Sequence, residues 1–304
     1  MTTIHGGTGV CYDAAMSKPE AGQARWRRRL GYGLGGGLLA LAVGFAVSGV
    51  DWDTLRSASP WALAALAGLV GVNYFVTGLL FWNITRTFDA EPTVRATRMI
   101  GLIAVSGLLN YVPVVRAGLW GRAAYLKKHH GLPVRQSLII LGVVLALTAV
   151  VVGGAGLVMM LGPASWRWPA LAGGLLLATV ITPTLAERLL RRPVAAGWAW
   201  VPLRTIDFAA AAGRLGLALA IVGQSADAAE VLVLASASLL VKIAGLTPNG
   251  LGLSEWAVVA LSAAVTPIEA SAAAAAALLD RGAEVLVSIA LGGTALVWLR
   301  KPAT

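Results

Sequence analysis

Two short stretches of this chain set charge and helix-breaking residues inside apolar surroundings. The first, "NYVPVVRAGLWGRAAYL", runs from Asn110 to Leu126 and carries Arg116 and Arg122 on either side of Gly118. Six residues along a continuous helix amount to about 120° of rotation. The two guanidinium groups therefore converge only if a helix starts between them, which Gly118 permits. A converging pair suits a phosphate, which guanidinium groups grip through paired hydrogen bonds. Arginines so placed also serve as plain anchors that snorkel to a membrane face, and spacing does not separate the two roles.

The second stretch, "AGLTPNGLGLSEWAV", runs from Ala244 to Val258. Pro248 is expected to end one helix, Gly250 and Gly252 to free the backbone, and Ser254 to cap the next helix. Glu255 then falls in a first turn, where the helix dipole favours a carboxylate. Three roles stay open for Glu255: a cap-region acid, a counter-ion to a buried cation such as Lys242, or a proton- or ion-coupling acid. Asp207 and Arg214, seven apart on one helical face, are expected to share an ion pair. Asp280, Arg281 and Glu284 open the last apolar run and read as interface anchors. Lys242 lies near enough a helix end to snorkel.

Other chemistries find little support. Asp51 and Asp53 in "DWD" follow the first apolar run, and acids in such an outer loop are the hook for a membrane glycosyltransferase using a polyprenyl-phosphate donor. Neighbouring His129 and His130 point apart and lack a second ligand cluster, so no metal site is expected. Neither a P-loop nor a dinucleotide fingerprint occurs, and no cofactor is expected. The lone Cys11 excludes an intrachain disulfide.

Composition fixes the elements that must position these residues. Of 304 residues, 58% are hydrophobic and 12% charged, with a mean hydropathy of +0.77; a soluble domain carries roughly twice that charge. Apolar runs long enough to cross a bilayer recur, and helices are the spanning element because no strand alternation appears. The expected fold is all-α, a polytopic transmembrane bundle of about seven to nine spans with re-entrant or broken helices. Residues 1–29 read as a basic cytoplasmic tail and residues 30–301 as one transmembrane domain. Clear spans are Leu30–Val50, Trp61–Ile84, Gln136–Gly162, Pro169–Ala186, Thr205–Gln224, Ala228–Gly245 and Gly282–Leu299. Met99–Val115, Ser254–Val265 and the alanine-rich Ser271–Leu279 are shorter.

Basic residues sort by side. The tail, the segments around Arg86–Arg98 and Arg116–Arg135, the segment Arg188–Arg204 and the Arg300–Lys301 end hold 19 of the 24 lysines and arginines. These are assigned to the cytoplasm, with both termini, by the positive-inside rule. The net charge of +10 is then orientation and attraction to anionic lipid, not a nucleic-acid footprint. Basic segments flank Met99–Val115 at both ends, which favours a re-entrant hairpin with Gly107 and Asn110 near its tip over a short crossing. Ten of the eleven tryptophans, Trp200 among them, fall near proposed span ends as an aromatic belt requires.

The two stretches, with Arg281 some way after Glu255, resemble the lysylphosphatidylglycerol synthase transmembrane (flippase) family, the UPF0104, YbhN-like and AglD-like membrane proteins. The likeness covers essentially Leu30 to Lys301. The first motif matches at Asn110, Pro113, Arg116, Gly118 and Arg122, with Leu119 where the family usually has an acid. The second matches at Pro248, Gly250, Gly252 and Glu255, with Asn249 in place of a common glycine. The resemblance implies a multi-pass protein of a bacterial-type cytoplasmic membrane that handles lipid headgroups, without the soluble transferase domain. Arg116 and Arg122 would take the headgroup of a phospholipid or polyprenyl-phosphate, and the segment around Gly250 and Glu255, with Arg281, would form the other wall. Transport is favoured over catalysis. The alternatives are the Asp51/Asp53 transferase and a non-catalytic membrane partner of a lipid-synthesis enzyme.

Overall fold

The computed structural model describes residues 33, 36–44, 58–88, 94–111, 117–194, 196–244 and 247–299. The basic tail, Cys11, Asp51, Asp53, Pro113 and Arg116 lie outside them. The described residues form an all-α bundle without strands. Its helices are α1 (Pro60–Arg86), α2 (Ala96–Leu109), α3 (Ala117–His130), α4 (Val134–Leu161), α5 (Arg167–Leu190), α6 (Trp200–Ile221), α7 (Ala228–Ala244), α8 (Leu253–Val265) and α9 (Ala270–Leu299). Residues 36–44 are also helical, and Leu38 O accepts a hydrogen bond from Trp256 Nε1 on α8.

Four of these helices, α1, α4, α5 and α9, are long and apolar enough to cross a membrane. Helix α5 buries none of its residues, and its Leu176, Leu177, Val180 and Leu189 are all more than half exposed. A helix apolar on its open faces is at home in hydrocarbon and not in water. The molecule thus has the character of a membrane protein. Helix α7, at 17 residues, is about 25 Å long, and α2, at 14 residues, about 21 Å, both short of a hydrocarbon core of roughly 30 Å.

The last apolar segments depart from the sequence expectation. Ser271–Leu279 and Gly282–Leu299 are one unbroken helix of 30 residues. Ala272 to Ala277 are all buried, and their small side chains let neighbouring helices approach closely. Asp280, Arg281 and Glu284 therefore sit mid-helix in the protein interior rather than at an interface. Trp200 also leaves the aromatic belt. It is 1% exposed and donates from Nε1 to Asn83 Oδ1 at 2.8 Å, tying α6 to α1.

Helix α1 runs antiparallel to α6, since Asn73 and Thr77 meet Asp207 while Asn83 meets Trp200. Helix α2 lies between α1 and α9, with Gly78 of α1 against Ile100 and Gly292 of α9 against Ala104 and Leu108. Two apolar clusters result. One gathers Leu80, Ile84, Met99, Val144, Trp200 and Val201; the other gathers Leu66, Phe208, Leu219, Leu234, Val258 and Ala273. Along α1 the residues between them are Asn73, Tyr74 and Thr77, and along α6 they are Arg204 and Asp207. A polar layer thus separates two oily ones.

Helices α2 and α3 approach closely at Gly118. Ser106 Oγ donates to Gly118 O at 3.0 Å, and a Cβ on Gly118 would run into the Ser106 carbonyl. Because that obstacle is backbone, it cannot swing aside. Gly121, one turn on, faces only the Leu109 side chain at ordinary contact distance. Gly118→Ala is therefore expected to destabilise the protein by at least about 2 kcal/mol, and Gly121→Ala far less. Thermal midpoints in detergent would read this, and equal midpoints for the two variants would refute the close approach.

Candidate functional site

The polar layer is built from long-range ion pairs. Arg281 on α9 bonds Glu255 on α8 through Nε to Oε1 at 2.6 Å, and its Nη2 donates to Ser254 Oγ at 2.6 Å. Arg214 on α6 faces Asp280 through Nε at 2.8 Å and Nη2 at 3.1 Å. Lys242 on α7 meets Glu284 Oε2 at 2.8 Å, and the same oxygen lies 3.5 Å from Arg281 Nη1 and 3.8 Å from Arg214 Nη2. These three cations and three carboxylates balance. A second pair joins Arg204 Nη1 to Asp207 Oδ2, one turn apart on α6, while Asn73 Nδ2 and Thr77 Oγ1 donate to Asp207 Oδ1 at 3.0 and 2.8 Å.

Several sequence expectations are corrected here. Asp207 pairs with Arg204 and not with Arg214, because α6 turns Arg214 toward α9 and its two carboxylates. Lys242 neither snorkels nor meets Glu255; Glu284 claims it, and Arg281 claims Glu255. Arg204, assigned above to a basic cytoplasmic segment, is 7% exposed within α6. Ser254 is not the cap of α8. Gly252, at a φ of 81°, holds that position, and Ser254 lies inside the helix with Oγ 3.1 Å from Gly250 O.

The turn before α8 is shaped by backbone strain as much as by side chains. Pro248 opens a single 3-10 turn. Asn249 has a φ of 50° and Gly250 one of 72°, conformations that glycine adopts without penalty and asparagine tolerates. A Cβ on Gly250 would lie 2.8 Å from Lys242 Cγ and 3.0 Å from Lys242 Cα. The bare glycine lets the turn press against Lys242, and Asn249 Nδ2 then reaches Glu284 Oε1 at 3.3 Å.

A cavity of about 350 Å³ opens onto this layer. Its polar wall includes Asn73, Thr77, Asn110, Arg122, Arg204, Asp207, Arg214, Lys242, Asn249 and Glu284. Glu255 and Arg281 stand behind that wall, bound to each other and to Ser254. Of the residues singled out in the two stretches, the structure thus places Asn110 and Arg122 at the cavity and sets Glu255 and Arg281 in its support. Gly118, Pro248, Gly250 and Gly252 shape backbone.

Arg122 is the odd charge. It is 7% exposed, and its guanidinium lies 3.9 Å above the centre of the Phe81 ring. Among the described residues no carboxylate pairs with it. Arg204 Nε and Asn73 Oδ1, on two further lining residues, also lack hydrogen-bond partners among the described residues. A buried cation without a counter-ion is costly in an apolar interior, and this one faces a space large enough for a small polar group. The site can therefore hold one monoanion, met by Arg122 and by the Nε–H of Arg204.

Asn73, Tyr74, Thr77, Asp280 and Glu284 were missed as parts of one site. The polar trio Asn73, Tyr74 and Thr77 is the signal that was present, since the first and last lie one turn apart in an otherwise apolar helix. Among the described residues no group of histidines, cysteines and carboxylates forms a metal cage. No family model, no curated protein and no solved structure matches the chain.

The Arg281–Glu255 pair gives a sharp test. Arg281→Met leaves Glu255 buried without its cation and is expected to cost about 3–5 kcal/mol. Adding Glu255→Leu should restore much of that stability. A double variant no more stable than the Arg281→Met single, by thermal midpoint in detergent, would show that the two groups are not coupled.

Proposed function

We propose that the protein carries a lipid with a phosphate headgroup, phospholipid or polyprenyl-phosphate, through the membrane, the headgroup sitting in the polar cavity lined by α1, α2, α3, α4, α6, α7 and α9. The observation that supports this most is Arg122, a buried cation without a carboxylate partner among the described residues, facing a polar cavity inside an apolar bundle. The charge balance of the remaining layer favours a single negative charge, as a phospholipid's phosphodiester carries and as a polyprenyl phosphate carries in its monoprotonated form. Guanidinium groups are well suited to phosphate oxygens. The resemblance of the two interrupted stretches to the flippase family points the same way. In this reading α2 and α3 form a re-entrant unit, the turn before α8 forms the facing wall, and irregular backbone persists at depth because protein covers it. Both termini and the basic segments, apart from the buried Arg122 and Arg204, lie on the cytoplasmic side of a multi-pass protein.

The test uses the purified protein in vesicles containing phosphatidylglycerol or polyprenyl phosphate with a fluorescent tail, translocation being read by quenching from one side. Arg122→Gln should slow translocation tenfold or more with no loss of thermal stability, since it removes a buried charge that no carboxylate among the described residues balances. Arg122→Lys, which keeps the charge but not the fork, should retain part of the rate. Wild-type rates in Arg122→Gln would sink the assignment of the cavity.

A further inference from the structure

A second, apolar groove of about 560 Å³ runs on the outer face between α1, α2 and α9. Its walls include Phe75, Ile100, Leu291 and Trp298, and its depth comes from small residues, Gly71, Gly101, Ala104 and Ala295, where larger side chains would close it. Tyr74 lines both this groove and the polar cavity. The tyrosine packs against Gly107, where a Cβ would collide with its hydroxyl, and that hydroxyl lies 2.5 Å from Ser288 Oγ on α9. One residue is thus the partition between a charged chamber and an oily channel, with its polar tip bonded to α9.

We infer that the α1–α2–α9 groove holds the apolar chain of the same lipid whose headgroup occupies the cavity, the ligand passing from one to the other beside Tyr74. The inference rests on the headgroup reading above and adds a tail site to it. Three features on the page favour a chain over other occupants. The groove is nearly all apolar, it adjoins the polar cavity at a shared residue, and it opens on a face where Phe75 and Leu291 are already exposed. A water-soluble phosphate would use the cavity and leave the groove idle. An amphiphile uses both, its chain being held in the groove by shape and van der Waals contact.

Gly71→Leu probes the groove without touching the cavity, because a Cβ there meets nothing within 4 Å and leucine is a better helix former than glycine. Gly174→Leu on α5, where a Cβ is equally free, is the control. Translocation of tail-labelled phosphatidylglycerol is expected to fall at least fivefold in Gly71→Leu and to be unchanged in Gly174→Leu. A phosphatidylglycerol bearing a photoreactive diazirine in its acyl chain should label segments 71–75, 97–104 and 291–298 in the wild type. That labelling should drop in Arg122→Gln, while labelling of α5 by surrounding lipid stays the same. Groove labelling equal in wild type and Arg122→Gln would mean ordinary surrounding lipid only, and would overturn the tail site. Slow translocation in Arg122→Gln with an unaffected Gly71→Leu would overturn the groove and leave the headgroup site standing. Normal translocation in Arg122→Gln would overturn the headgroup site itself.

Discussion

Glu284 is the constraint around which the bundle is arranged. It sits near the middle of α9 and draws Lys242 from α7, Arg214 from α6, Arg281 from its own helix and Asn249 from the turn before α8. A carboxylate in an apolar interior is tolerable only with cations and donors close by. Moving α9 by a single residue would rotate Glu284 by about 100° and strand it. Four elements are therefore held in one register by one side chain. Buried ion pairs of this kind add little net stability over a well-packed apolar core; what they set here is which helix faces which.

Close approach of backbones makes that arrangement reachable. Gly250 lets the strained turn lie against Lys242, and Gly118 lets α3 start on top of the Ser106 carbonyl. The buried alanines of α9 do the same over a longer contact. In hydrocarbon the oily faces of helices gain little by leaving lipid for one another, so tight packing and polar bonds must supply the association. The polar layer and the small residues are two halves of that requirement.

Much of the fold was legible from the amino acids. Apolar runs announced the helices, and Pro248, Gly250 and Gly252 announced the break before α8, because those residues act locally through backbone conformation. The pairings were not legible. Asp207 has Arg204 one turn before it and Arg214 two turns after it, and only the packing of α6 against α1 and α9 decides between them. The trio Asp280, Arg281 and Glu284 looked like the start of a span because charge interrupts hydropathy, yet the neutralising partners come from helices 26 or more residues away in the chain. Arg204 was mistaken for a loop residue for the same reason. Arg122 could be flagged from its motif, but its lack of a carboxylate partner among the described residues is a property of everything around it.

The excess of one cation among the described residues of the layer has an electrical consequence. Holding a monoanion, the buried layer of the described residues is neutral; empty, it carries one positive charge. Any rearrangement that moved this layer through the membrane field would do no electrical work when loaded. When empty it would couple to the potential by up to about 2.3 kcal/mol per 100 mV for a full crossing. The resting voltage of a cell would then bias the empty form and leave the loaded form indifferent to it.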